Sequence, residues 1–383
     1  MLFGGFGMNR VFFDLGVFLY WSADSMASKS VTSKGSVIVS NKDALKAIME
    51  ENAVMDPDIL DVLKSLRKEG FSLNICDSFS QAEIWECVEK LGIDKYFDEY
   101  VSATTEEAMA SAFAEKRGKD DFFLFVGTNE MIIRAATKMQ IPSICYGKDW
   151  MSVYPMTFSK ALYPIEIEDQ IRITLLVHSI VKKAILKKSK ILGIDGIMYA
   201  GKKTLADRIT RYMDLIGQEN MIVDLEDYHR AVEESYKGED PVEAYYFNGF
   251  NYEKLMEDVL DPYLKEGKLD RTVYCLDSYN DAFVNERYYK ISENGIMILL
   301  GTMMYREPLL KYFDTTVYLR VDDKEAEHRA SLMDVPVYGL ASIDDFKKKD
   351  IPAEKMYVAR HDPFRNRDFV IDNSNYHRPF FID

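Results

Sequence analysis

The chain predicts an α/β protein of two domains, each a parallel sheet with helices on both faces. Three observations carry that expectation. At 383 residues the chain exceeds what one hydrophobic core usually fills. In both halves, short apolar runs of strand length alternate with stretches of helical periodicity, the pattern of strand–helix–strand units. The alternation lapses once, between Trp150 and Pro164, and then restarts. The expected domains are therefore 1–155 and 156–383.

The elements follow in order. Val11 to Phe13 is an apolar strand ending at Asp14, and a Ser- and Lys-rich stretch from Ser22 to Asn41 comes after it. Ile59, Leu63 and Leu66 recur at helical spacing up to Gly70, a residue suited to ending a helix. Phe71 to Cys76 reads as a strand and Ala82 to Leu91 as a helix. Phe122 to Val126 is wholly apolar, the mark of a strand buried on both faces. Ile132 to Met139 is helical and Ser143 to Tyr146 a short strand. Beyond the lapse, a long helix runs from about Ile167 to Lys187, with apolar residues at helical spacing. Ile191 to Asp195 is a strand, and Leu205, Ile209, Met213 and Ile216 form a helical stripe that stops at Gly217. Met221 to Leu225 is a strand, Tyr252 to Leu264 a helix, and Ile296 to Leu300 and Thr316 to Val321 are two further buried strands.

Composition narrows the function. A net charge of −15 argues against a nucleic-acid binder, which needs a basic face for phosphate contacts. No apolar run approaches the roughly 20 residues that span a bilayer, and the first residues lack the basic start of a signal peptide. Cys76, Cys87, Cys145 and Cys275 show no metal-ligand spacing, as expected of reduced thiols in a cytoplasmic protein.

Gly196-Ile197-Met198-Tyr199-Ala200-Gly201-Lys202-Lys203-Thr204 lies between a predicted strand and a predicted helix. Glycines at the first and sixth positions let main-chain N–H groups approach phosphate oxygens, and the helix start adds its positive dipole end. Lys202 supplies a full charge to the β- and γ-phosphates. Gly196, Ala200, Gly201, Lys202, Lys203 and Thr204 are thus the expected nucleotide contacts, with ATP or another nucleotide as ligand. Where the motif places a hydroxyl for Mg²⁺, this chain has Lys203. A charged lysine is no metal ligand and repels the ion. Three readings stay open: Lys203 takes over part of the ion's neutralising work, the site binds nucleotide without turnover, or Thr204 reaches the metal.

With these residues in place, the second half resembles the uridine kinase group of P-loop kinases, which includes phosphoribulokinase and pantothenate kinase relatives. Ile194-Asp195-Gly196 is similar to the start of the family's loop. Leu225 to Arg230 resembles its acidic-aromatic segment, Phe250 to Leu255 with Val259 to Pro262 its substrate-flanking helix, and Asn294 to Gly301 a later strand. Ile371 to Ser374 resembles its C-terminal strand signature. The resemblance implies Glu226 as the base toward an acceptor hydroxyl, Asp227 as fallback, and Arg329 as the lid's phosphoryl-neutralising arginine. Leu300 replaces an acidic strand-end residue and most lid arginines are absent, so Mg²⁺ would lack its usual protein ligands.

The first half is similar to haloacid dehalogenase-like phosphatases, through Arg10 to Val17, Gly92 to Asp98, and Val126 to Asn129. That resemblance implies covalent phosphoryl transfer by paired aspartates with Mg²⁺. Asp14 stands at the nucleophile, but Gly16 replaces its partner, Asp77 the phosphate-gripping hydroxyl, Thr128 a metal carboxylate and Ile132 the next acidic position. Lys116 and Lys119 come late for the phosphate-binding lysine. A catalytically silent domain is expected, and its exposed helices would suit a homodimer interface. Two functions remain open: an ATP-dependent phosphotransferase acting on a hydroxyl of a nucleoside or similar small metabolite, or an inactive nucleotide- or anion-binding regulatory protein.

Overall fold

The computed structural model describes residues 7–20, 54–118, 120–146, 157–235, 237–277 and 281–382. The Ser- and Lys-rich stretch at 22–41, Lys119 and residues 147–156 lie outside them. The chain divides into two compact units, Met1–Leu175 and Leu176–Asp383. The division falls inside the helix Pro164–Leu186, whereas the expected boundary after residue 155 falls among the residues not described.

Unit 1 is a six-stranded sheet in the order β5-β4-β1-β6-β7-β8. Its strands are β1 (Asn9–Phe13), β4 (Ser72–Asp77), β5 (Glu99–Ser102), β6 (Phe122–Gly127), β7 (Ser143–Tyr146) and β8 (Ser159–Ala161). All its pairings are parallel. A two-residue ribbon, β2 (Leu19–Tyr20) with β3 (Val54–Met55), stands apart. Alternation along the central strands fills both faces. Val11, Phe13, Leu124 and Val126 join a core with Ile59, Leu63 and Leu66. Phe12, Phe123 and Phe125 join another with Met109, Phe113 and Ile133. This is why the central strand reads as unbroken apolar sequence.

Unit 2 is a six-stranded sheet in the order β10-β13-β9-β14-β15-β16. Its strands are β9 (Ile191–Asp195), β10 (Asn220–Asp224), β13 (Ile296–Gly301), β14 (Thr315–Arg320), β15 (Phe369–Asp372) and β16 (Phe380–Ile382). Only β16 runs antiparallel in it. A separate antiparallel hairpin joins β11 (Leu269–Asp277) to β12 (Ala282–Ile291), a departure from the all-parallel expectation. The expected helix from Tyr252 is continuous to Glu266 but widens into a π-turn over Met256–Leu260. Among the described residues no helix is long and apolar enough to cross a membrane.

Tyr305 ties the centre of unit 2 together. Its hydroxyl lies 2.7 Å from the Gly193 carbonyl and accepts the Val317 N–H at 2.9 Å, bridging β9 and β14 beneath the loop that follows β9. Gly193 has to be glycine, because a Cβ there would come within 2.6 Å of the Phe313 ring. Tyr305→Phe should cost about 1–3 kcal/mol, the usual penalty for stranding buried polar groups. Hydrogen exchange at the β9 and β14 amides measures it, and unchanged protection would contradict the assignment.

Candidate functional site

The Gly196–Gly201 turn links β9 to the helix Lys202–Leu215. Both glycines are required by close approach. A Cβ on Gly196 would sit 2.4 Å from the Leu319 carbonyl, and one on Gly201, at φ +94, 2.6 Å from Asn373 Nδ2. The Gly196 N–H donates to Asp195 (2.8 Å) and the Ala200 N–H to the Ile197 carbonyl (3.1 Å). These two predicted contacts therefore shape the loop rather than offer amides. Among the described residues, the N–H groups of Met198, Tyr199, Gly201, Lys202, Lys203 and Thr204 have no hydrogen-bond partner in the chain. Orphan amides at a helix start are the raw material of an anion site.

Lys202 closes the turn. Its ammonium donates to the carbonyls of Gly196 and Ile197, each at 2.8 Å, and it forms no ion pair among the described residues. Burial pulls its pKa down, against the fields of Glu226, Asp195 and Glu354. Beneath it, buried Asp195 accepts from Gly196 N, Met304 N, Tyr305 N and the Tyr357 hydroxyl. Glu354, pushed up to about 7 by burial and by Asp195, accepts from Tyr318 (2.6 Å) and Thr302 (3.2 Å). A cavity of about 760 Å³ lies beside the loop, lined in part by Ile197, Tyr318, Glu354 and Phe364.

The structure places the predicted transfer residues around this loop and finds each one engaged. Glu226 follows β10 in a short turn, Leu225–Tyr228, and meets His229 Nε2 at 3.2 Å. Burial alone would raise its pKa. The His229 bond and the charges of Lys202 and Lys203 outweigh burial and hold it below the usual value. Both His229 nitrogens face acceptors, since Nδ1 lies 3.1 Å from the Gly249 carbonyl. Burial lowers its pKa, but the Glu226 bond and charge raise it above the usual value overall. Asp227, the fallback base, is gripped at both oxygens by Arg287 at 2.8 Å. Arg329 is likewise held by internal bonds. It donates to Glu325 and to the carbonyls of Tyr199, Asn373 and Ser374, so it acts as a brace. Asn373 Nδ2 adds a bond to the Ala200 carbonyl (2.7 Å), and the Tyr199 hydroxyl donates to Asp334.

For Mg²⁺ the residues do not fit. Lys203 stands where a hydroxyl is needed, and its ammonium lies 3.0 Å from the Asp224 carboxylate at the end of β10. Thr204 is exposed in the first helical turn. Among the described residues, no group of three or more His, Cys, Asp or Glu side chains is placed to hold a metal. Sequence reasoning missed Asp224, His229 and Glu354 as site residues. Asp224 had a readable signal, an acidic residue closing a strand beside the loop. Glu354 had none.

In unit 1, Asp14 is fully buried and accepts the N–H groups of Thr128 (2.6 Å) and Asn129 (2.8 Å). Asp77 accepts the Leu15 N–H at 3.0 Å. Burial first, then the Asp77 charge, pushes Asp14 from 3.8 to about 7. One Asp14 oxygen is buried without a partner. A phosphate would meet two carboxylates and find these amides filled.

Two expectations follow. Because the Asp14 pKa is raised by folding, its contribution is full below pH 3.8 and is lost as pH rises towards 7. Asp14→Asn should therefore stabilise unit 1 at pH 8 by on the order of 1–3 kcal/mol and far less at pH 4. All three tryptophans lie in unit 1, so denaturation followed by their fluorescence reads it; an equal effect at both pH values would refute it. In unit 2, the Glu226–His229 pair contributes above 4.5, where Glu226 ionises unfolded, and below 6.5, and fades beyond the folded values. NMR titration should find His229 above 6.5, and Glu226→Gln should bring it below, since burial then acts without its counter-charge.

A model of haloacid dehalogenase-like hydrolases matches residues 23–145. No curated protein matches the chain. Among solved structures, a "Possible Uridine Kinase" from Bacillus stearothermophilus is 21% identical with a TM-score of 0.41, over 52% of this chain and 97% of that one. A haloacid dehalogenase-like family hydrolase from Streptococcus pneumoniae is 15% identical with a TM-score of 0.32, over 42% of this chain and 96% of that one. Over residues 23–145 the chain is thus similar to haloacid dehalogenase-like hydrolases.

Proposed function

We propose that unit 2 is a nucleotide-binding domain in which the loop amides and Lys202 hold the phosphates of ATP or a related nucleotide. Binding, rather than rapid turnover, is its main work. The observation that carries this reading is the set of orphan amides at Met198, Tyr199 and Gly201 to Thr204 around an ammonium with no carboxylate partner. The preference for binding over turnover rests on Asp227 and Arg329, both held by internal bonds. Unit 1 is a catalytically silent companion, suited to structure or to homodimer assembly. The four cysteines are buried thiols, as expected of the cytoplasmic setting in this reading.

A second reading has its own support. Glu226 is kept ionised close enough to Lys202 and Lys203 to feel both charges. In a loose phosphoryl-transfer transition state, positioning counts for more than basicity. Slow transfer to a hydroxyl of a nucleoside or similar metabolite would use Glu226 to orient that hydroxyl.

Calorimetry with ATP tests the main reading. Lys202→Ala should weaken binding by about 10–100-fold, the worth of a charge-assisted contact, and equal affinity would overturn it. A product assay over nucleosides separates the two readings. Phosphorylated product that disappears in Lys202→Ala favours transfer, and its absence favours binding alone.

A further inference from the structure

We infer that the loop takes its polyphosphate ligand without a divalent cation, because Lys203 already occupies the cation's seat. This rests on the nucleotide-binding reading above and adds the ionic form of the ligand, a metal-free nucleoside polyphosphate.

The seat is identifiable. A cation bound beside a phosphate loop is drawn to a carboxylate at a nearby strand end, here Asp224 at the end of β10. The positive charge found 3.0 Å from that carboxylate is the Lys203 ammonium. The Lys203 side chain is 74% exposed and that of Asp224 only 16%, so the lysine is the half that can move. Swinging the ammonium from Asp224 to a phosphate exchanges one anionic partner for another and moves only the exposed half of the pair. Lys203 follows Lys202 directly, and its own amide is among those left free. Together the two ammonium groups offset charge that Mg²⁺ would otherwise neutralise. A divalent ion entering the site would meet both of them, and like charges a few ångströms apart repel even at high effective dielectric.

The closing experiment is calorimetry on the full chain, with ATP in EDTA and with ATP in excess Mg²⁺. The expected result is affinity in EDTA equal to, or up to about tenfold tighter than, that with Mg²⁺. Binding that Mg²⁺ strengthens about tenfold or more overturns this inference and leaves the nucleotide reading intact. No binding in either condition overturns the nucleotide reading itself. Lys203→Thr restores the hydroxyl and frees Asp224. It should lose about tenfold in EDTA and recover with Mg²⁺, whereas Lys203→Arg should keep metal-free binding. A Lys203→Thr protein that binds in EDTA as the parent does would also overturn it.

Discussion

The buried carboxylate of Asp195 is the fixed point of unit 2. It ends β9, and it accepts hydrogen bonds from the first residue of the loop, from the two residues Met304 and Tyr305, and from Tyr357. A charge taken out of water is costly unless its lone pairs are filled. Filling them binds the strand end, the segment after β13 and the helix Ile351–His361 into one piece. Burial still raises the Asp195 pKa, with the Tyr357 bond as the largest opposing influence. The loop leaves from this anchored point, so its amides are held in place before any ligand arrives. Such preorganisation spares the ligand the cost of ordering the chain.

The two units treat main-chain amides at a strand-to-helix junction in opposite ways. In unit 1, Thr128 and Asn129 precede the helix Glu130–Lys138, and their amides are spent on Asp14. The chain supplies its own anion, and Asp77 adds a second carboxylate that would repel another. In unit 2 the Gly196 amide is spent on Asp195, but those of Met198, Tyr199 and Gly201 to Thr204 meet no main-chain acceptor among the described residues, and the loop carries the Lys202 ammonium. One junction is closed by its own sequence and the other is left open. Asymmetry of this kind supports the proposal of an anion site in the second unit without reference to any relative.

Much of this was legible in sequence. Buried strands declare themselves by unbroken apolar runs, and the loop by two glycines and a lysine between a strand and a helix. The departures were legible too: Gly16, Asp77 and Lys203 each put the wrong chemistry at a motif position. What sequence could not show is pairing at a distance. Arg287 lies 60 residues from Asp227, and nothing local marks it as that carboxylate's partner. Arg329 matched the lid position, yet its hydrogen bonds run to carbonyls of Tyr199, Asn373 and Ser374, main-chain acceptors that no motif records. The hairpin Leu269–Ile291 escaped because its aromatic outer face, with Tyr274 and Tyr288 exposed, blurs the alternation that marks a half-buried strand.

The placement of Arg329 also sets transfer against binding. To neutralise a moving phosphoryl group, the guanidinium would have to leave three carbonyls and Glu325. Bonds from a charged donor are worth about 1.5–3 kcal/mol each, so several would be lost before any were gained. Two of those carbonyls belong to the segment Asn373–Ser374, whose Asn373 side chain holds Ala200 and packs against the space above Gly201. Releasing Arg329 would loosen the brace that keeps the loop in shape. A residue that braces the loop only while it stays still cannot also follow a transferring group, and that conflict is why the proposed reading sets binding before transfer.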